Sequence, residues 1–84
     1  QWSLLPLEQV QEVVKVLMHG AEKYAPDNWQ KVENPGERYW NVTMRHLTAW
    51  KMGESKDSES GLPHLAHAAC NVLFLLWFEM KGDK

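Results

Sequence analysis

The sequence has a single cysteine, Cys70, so no internal disulfide framework is available and the chain fits a reducing cytoplasm. Charge of one sign is also lacking. Nine Lys and Arg stand against eleven Asp and Glu, intermixed, for a net charge of −2. Without a basic tail or patch, polymeric DNA or RNA is not an expected partner. No long apolar run is present. The stretch from Leu65 to Phe78 is too short to cross a bilayer and contains His67 and Asn71, so no membrane association is expected. No Arg/Lys-led apolar N-terminus suggests a signal peptide, although the chain opens on Gln1 and further residues upstream are expected. A hydroxyl–imidazole–carboxylate triad, a Gly-rich phosphate loop and a CxxC pair are all missing, which argues against covalent catalysis and a P-loop. No strand pattern competes with helix, and nothing repeats.

What remains is an apolar chain of 84 residues, 44% hydrophobic and with five Trp. A domain of this size buries only about 60% of the surface its unfolded chain exposes. A single domain over 1–84 is therefore expected to self-associate, as a homodimer or homotetramer, with part of its core made between subunits; a dense monomer is the alternative.

Three helices can be read, and the fold class is all-α. The first starts at Pro6, where a missing N–H costs nothing, and stops near Tyr24 before "APDN". Val10, Val13, Val14, Leu17 and Ala21 form its expected buried face. After a turn at Asn34-Pro35-Gly36, a second helix runs from about Glu37 to Met52 and is stopped by Gly53. Tyr39 or Trp40, Met44, Leu47 and Trp50 supply its apolar side. The polar loop "ESKDSESG" follows. Leu62-Pro63 then opens a third helix that ends near Lys81-Gly82.

The third helix poses the functional question. His64, His67 and Asn71 fall within a sector of about 60° at about 100° per residue. Each would cost about 1–3 kcal/mol if buried without a partner. On the first helix Glu8, Glu12, Lys15, His19 and Glu22 share a sector, and on the second Arg38, Asn41, Arg45 and Thr48 do. Facing stripes on helices one and three would set Glu8 and Glu12 against His64 and His67, a mixed carboxylate–imidazole site for a divalent metal or a phosphate.

Other segments offer further groups. The acidic loop brings Glu54, Asp57 and Glu59 within six positions, as a solvated loop or as oxygen ligands for Mg²⁺. In "KYAPDNWQK", Lys23 and Lys31 could hold phosphate while Asn28 and Trp29 engage a base; alternatively Trp29 plugs the end of the bundle. Arg45-His46 is either a salt-bridging pair or a source of cations for polyphosphate. Cys70 is a packing residue.

The segments "LLPLEQVQEVVKVLMHGAEKYAPDNWQK" and "RHLTAWKMGESKDSESGLPHLAHAACNVLFLL", in that order, resemble the dATP/dGTP diphosphohydrolase N-terminal-domain family of phages and bacteria, related to MazG-like, all-α pyrophosphohydrolases. The resemblance implies a helical bundle assembled between subunits and a Mg²⁺-assisted (or Mn²⁺-assisted) attack of water on a purine deoxynucleoside triphosphate, giving monophosphate and pyrophosphate. The chemistry of the matching polar positions makes Glu8, Glu12, His64 and His67 the catalytic candidates and sets Glu8, Glu12, Glu54 and Asp57 around the metal. Lys23, Asn28, Trp29, Arg45, His46 and Asn71 would bind substrate. The chain departs from the MazG-like pattern where an ExxD pair would lie, offering Ala68 and Asn71 instead. A helical oligomerisation or adaptor module, or a non-catalytic nucleotide-binding module, is the alternative reading.

Overall fold

Helix α3 (His64–Met80) is the element on which the other two pack: α2 (Pro35–Lys51) along much of its length, and α1 (Leu7–Lys23) over a smaller area. The computed structural model describes residues 1–82, so the last two positions of the expected 1–84 domain lie outside it. No strand forms among the described residues; an isolated antiparallel bridge pairs Lys56 with Pro63. The all-α expectation holds.

The ends of α1 and α2 obey helix electrostatics. Each carries an acid in its first turn, Glu8 and Glu37, and a lysine in its last, Lys23 and Lys51, matching the macrodipole. The second helix begins at Pro35, two residues before its expected start. The Asn-Pro-Gly run reads as a turn, but proline at the first helical position is pre-organised for a helix, and Asn34 caps it with φ 51°. A short 3-10 turn, Asn28–Lys31, replaces the expected irregular segment and is pinned by the Tyr39 hydroxyl, which donates to the Trp29 carbonyl at 2.8 Å.

Helix α3 is buried on two sides. Val16 of α1 forms a core with Ala66 and Cys70, with Val13, Leu62 and Phe74 packed around it. On its α2 side α3 presents His64 and Phe78, against His46 and Tyr39 respectively. Trp29 closes one end of this layer, stacked on Phe74 at 4.3 Å and set edge-on to Trp77 at 5.0 Å.

Two expected faces are corrected. Tyr39, one of the two alternatives expected on the apolar side of α2, does meet α3 and is joined there by Thr43 and His46, whereas Trp40 (56% exposed), Met44, Leu47 and Trp50 point outward. In α1 only Val16 is fully buried; Val14 and Leu17 are exposed, and Val10, Val13 and Ala21 are half-buried. The α2–α3 contact is made by Tyr39 against Phe74 and Phe78 and by the His46–His64 pair, which turns the side of Trp40, Met44, Leu47 and Trp50 away. Leu65, Val72, Leu73, Leu76 and Met80 also form an outward stripe on α3. No helix among the described residues is long and apolar enough to cross a membrane.

Candidate functional site

The loop joining α2 to α3 builds the site. Gly53, at φ 102°, ends the helix in a conformation that favours glycine, and the chain then closes on itself. Asp57 N–H donates to the Leu62 carbonyl at 2.8 Å, and His64 N–H to the Ser55 carbonyl at 2.9 Å. Inside this closed loop the Ser60 N–H donates to Asp57 Oδ2 at 2.9 Å. What reads in the sequence as a plain polar loop is a folded one, and it delivers Glu54, Asp57 and Ser60 to the start of α3.

Three imidazoles meet there. His64 and His46 are 2% and 3% exposed, and their Nδ1 atoms lie 2.8 Å apart. The ring of His67 stacks on that of His46 at 4.5 Å and 9°. The hydrogen bonds fix a consistent direction. Arg45 Nη2 donates to His46 Nε2 at 3.4 Å, which leaves the proton of a neutral His46 on Nδ1, facing His64 Nδ1. His64 donates its Nε2–H to Glu54 Oε1 at 2.6 Å. The sequence Arg45, His46, His64, Glu54 is thus a single chain of donors. It satisfies both buried rings, and among the described residues no buried side-chain polar atom lacks a partner.

Electrostatics follow from burial. Burial pushes His46 down to about 4, helped by the neighbouring His67, Arg45 and His64. Burial also lowers His67, against the pull of Asp57. For Asp57, burial works upward but is outweighed by the Ser60 N–H and hydroxyl and by His67 and His46, which hold the carboxyl below its ordinary range. Neutral imidazoles beside an ionised carboxylate are the outcome.

The group borders a cleft of ≈ 790 Å³ between the C-terminal half of α1, the 3-10 turn, α2 and α3. His46, Asp57 and His67 line it, together with Lys23, Arg38 and Arg45. Asn28, Trp29 and Asn71 reach it as well. Lys23 is paired with Glu59, and the Glu59 hydrogen bond raises its pKa; His19 Nε2 lies 3.7 Å from the same carboxylate. Asn71 spends its amide N–H on the His67 carbonyl at 2.8 Å. One face of Trp29 is covered by Phe74, as the bundle-plug alternative requires.

Glu8 and Glu12 are not where the facing stripes would put them. Glu12 pairs with Lys15 at 2.7 Å, Glu8 is exposed, and α1 borders the cleft only from Val14 onward. The contacts of His19 and Lys23 with Glu59 set the far end of α1 beside the start of α3. At 1.5 Å per residue, Glu8 lies about 16 Å back along the axis from His19. The expected pairing of Glu8 and Glu12 with His64 and His67 therefore gives way to Glu54 and His46 on His64, and Ser60 on His67.

Ser60 is the residue that sequence reasoning passed over. Its hydroxyl lies 2.7 Å from His67 Nε2, while Asp57 bonds the same serine. Asp57 is bonded through the backbone N–H of Ser60 and His67 through its hydroxyl, so one residue connects the carboxylate to the imidazole. The available signal was a serine seven residues before a histidine, and only loop closure gives it meaning.

A protein named dATP/dGTP diphosphohydrolase from Salmonella phage PMBT28 is 36% identical over 75 residues, which cover 89% of this chain and 25% of the phage protein. The chain thus spans about a quarter of that relative's length. No solved structure matches. The family model described as "dATP/dGTP diphosphohydrolase, N-terminal" matches residues 1–84, and the chain belongs to that family.

Proposed function

We propose that the cleft binds a purine deoxynucleoside triphosphate and that the domain takes part in its hydrolysis to monophosphate and pyrophosphate. The observation that carries this reading is the convergence of neutral imidazoles, an ionised carboxylate and guanidinium groups on one open cleft. The description of the family and the name of the phage relative support the substrate class.

In this reading Arg38, Arg45 and Lys23 offset the charge of the triphosphate, with Lys23 exchanging Glu59 for phosphate. Asn28 and Asn71 offer amide groups to the base, which packs beside Trp29. His67, neutral because it is buried, gives its Nε2–H to the Ser60 hydroxyl in this reading and accepts at Nδ1 the proton of a water that adds to the α-phosphorus. The bond from that phosphorus to the bridging oxygen breaks, and pyrophosphate leaves.

The resemblance implies Mg²⁺ (or Mn²⁺), for which Glu8, Glu12, Glu54 and Asp57 are the ligands expected from the sequence. Glu8 and Glu12 lie outside the cleft and Glu54 is engaged by His64, leaving Asp57 among imidazoles. Mg²⁺ prefers oxygen donors, so these residues do not make a cage for it. No step here runs through that ion.

The test is pyrophosphate release from dATP, dGTP, dCTP and dTTP, each with Mg²⁺ and with Mn²⁺. Turnover of the two purine nucleotides is expected, with His67→Gln lowering kcat by about 10²–10⁴. If all four remain intact and none shifts the melting temperature, the reading is wrong. The exposed stripe Leu65, Val72, Leu73 and Leu76 favours a second reading, a helical assembly module in which a second copy covers it. Light scattering tests that directly: a homodimer or homotetramer supports it, and a monomer at high concentration refutes it.

A further inference from the structure

We infer that His46, His64 and Asp57 form a binding site for a divalent transition-metal ion, of the class of Zn²⁺ or Co²⁺. One ligand atom from each residue lies within 4.8 Å of the other two. The ligands come from three places that the fold holds independently: His46 from the middle of α2, His64 from the first position of α3, and Asp57 from the closed loop between them. Two imidazoles and one carboxylate are donors that suit first-row transition ions. Three protein ligands also leave a fourth position open, facing the cleft that His46 and Asp57 line.

The surroundings match what metal-bound histidines require. A ligating imidazole normally passes its other N–H to a carboxylate or carbonyl, which fixes the ring. His64 already does so, giving Nε2–H to Glu54 and turning its Nδ1 to the shared centre. Asp57 is oriented by the Ser60 N–H. His46 adopts the ligating state by moving its proton from Nδ1 to Nε2, so that Arg45 leaves that nitrogen and no proton is lost overall. Two nitrogens on a tetrahedral Zn²⁺ sit about 3.3 Å apart at ordinary bond lengths. The present 2.8 Å separation therefore has to open by about half an ångström. The His46 ring, stacked on His67, makes that shift towards the cleft it lines.

This site differs from the expected set of Glu8, Glu12, Glu54 and Asp57, and it stands without the proposed hydrolysis. Its test uses no nucleotide. The full chain, freed of metal, is titrated with Co²⁺ and Zn²⁺, following Co²⁺ visible absorption, bound metal per chain and melting temperature. One equivalent per chain is expected, with Zn²⁺ displacing the Co²⁺ bands and Mg²⁺ failing to do so. Asp57→Asn should abolish the intense Co²⁺ bands. Glu54→Gln, on an exposed loop position, should weaken binding by about 10–100-fold while the protein stays helical. Glu12→Gln should leave affinity unchanged. Displacement by equimolar Mg²⁺, absence of stoichiometric binding, or equal affinity in wild type and Asp57→Asn would overturn the assignment.

Discussion

Replacing Trp29 by alanine separates the two roles open to that ring, plug and base platform. The ring stacks on Phe74 at 4.3 Å and 11°, and meets Trp77 and Phe78 edge-on at 5.0 and 6.3 Å. Aromatic pairs contribute about 0.5–1.5 kcal/mol each beyond burial, so three of them amount to roughly 1.5–4.5 kcal/mol. Truncation of a buried Trp or Phe costs about 3–5 kcal/mol, and Trp29 is only half-buried. A loss of about 3 kcal/mol is expected. The Tyr39 hydroxyl bonds the backbone carbonyl of Trp29, which survives the substitution, so the turn stays anchored and the ring alone is tested. A chain of this length has about 4–13 kcal/mol of stability in total, so the effect is large. Urea unfolding, with a slope of about 1 kcal/mol per molar, should show the midpoint falling by about 3 M. Trp29→Phe should recover most of it. A loss below about 1 kcal/mol, accompanied by weaker dATP binding, would refute the plug and make the ring a platform for the base.

Two further outcomes follow from the buried groups. In EDTA, the chain should lose stability as pH falls from 6.5 towards 4, because His46 titrates at about 4 when folded and near 6.5 when unfolded. Across that window only the unfolded chain takes up the proton, so the contribution is complete above pH 6.5. The 2.5-unit difference corresponds to at most about 3 kcal/mol. His67 acts in the same direction, and the charged or titratable neighbours are Arg45, His64, His67 and Asp57. Urea midpoints that stay flat between pH 7 and 4.5 would contradict this. Separately, burial pushes the Cys70 thiol up to about 11, so a thiol reagent should label the native protein only through unfolding. Cys70→Ser places a hydroxyl among Val16 and Ala66 and should cost about 1–3 kcal/mol by calorimetry.

Local chemistry made the helices legible: Pro6, Gly53 and Pro63 mark ends that the structure keeps to within a residue or two. The faces were legible only in part. Periodicity reports which side of a helix is apolar, not which side its neighbour takes. In α2 the partner took the side of Tyr39, Thr43 and His46. The same limit applies to the site. The shared angular sector of His64, His67 and Asn71 could be read from the sequence because all three lie on one helix, where relative position depends on helical geometry alone. Extending the sector argument to Glu8 and Glu12 failed because an angle says nothing of height along the axis.

His46 and Asp57 show what the missing information was. Each stood out singly, His46 beside Arg45 and Asp57 in an acidic loop, yet nothing in their spacing from His64 signals a meeting. Their contact depends on the α2–α3 connection folding back so that Ser55 bonds His64 and Leu62 bonds Asp57. Those are backbone bonds, carried by no particular side chain, and Gly53 and Gly61, at φ 102° and 72°, are their main trace in the sequence. The same closure sets Glu54 on His64 and Ser60 on His67. An imidazole pair with its Nδ1 atoms 2.8 Å apart, braced from behind by a carboxylate, is therefore a product of loop geometry acting on residues that the helical pattern could identify only one at a time.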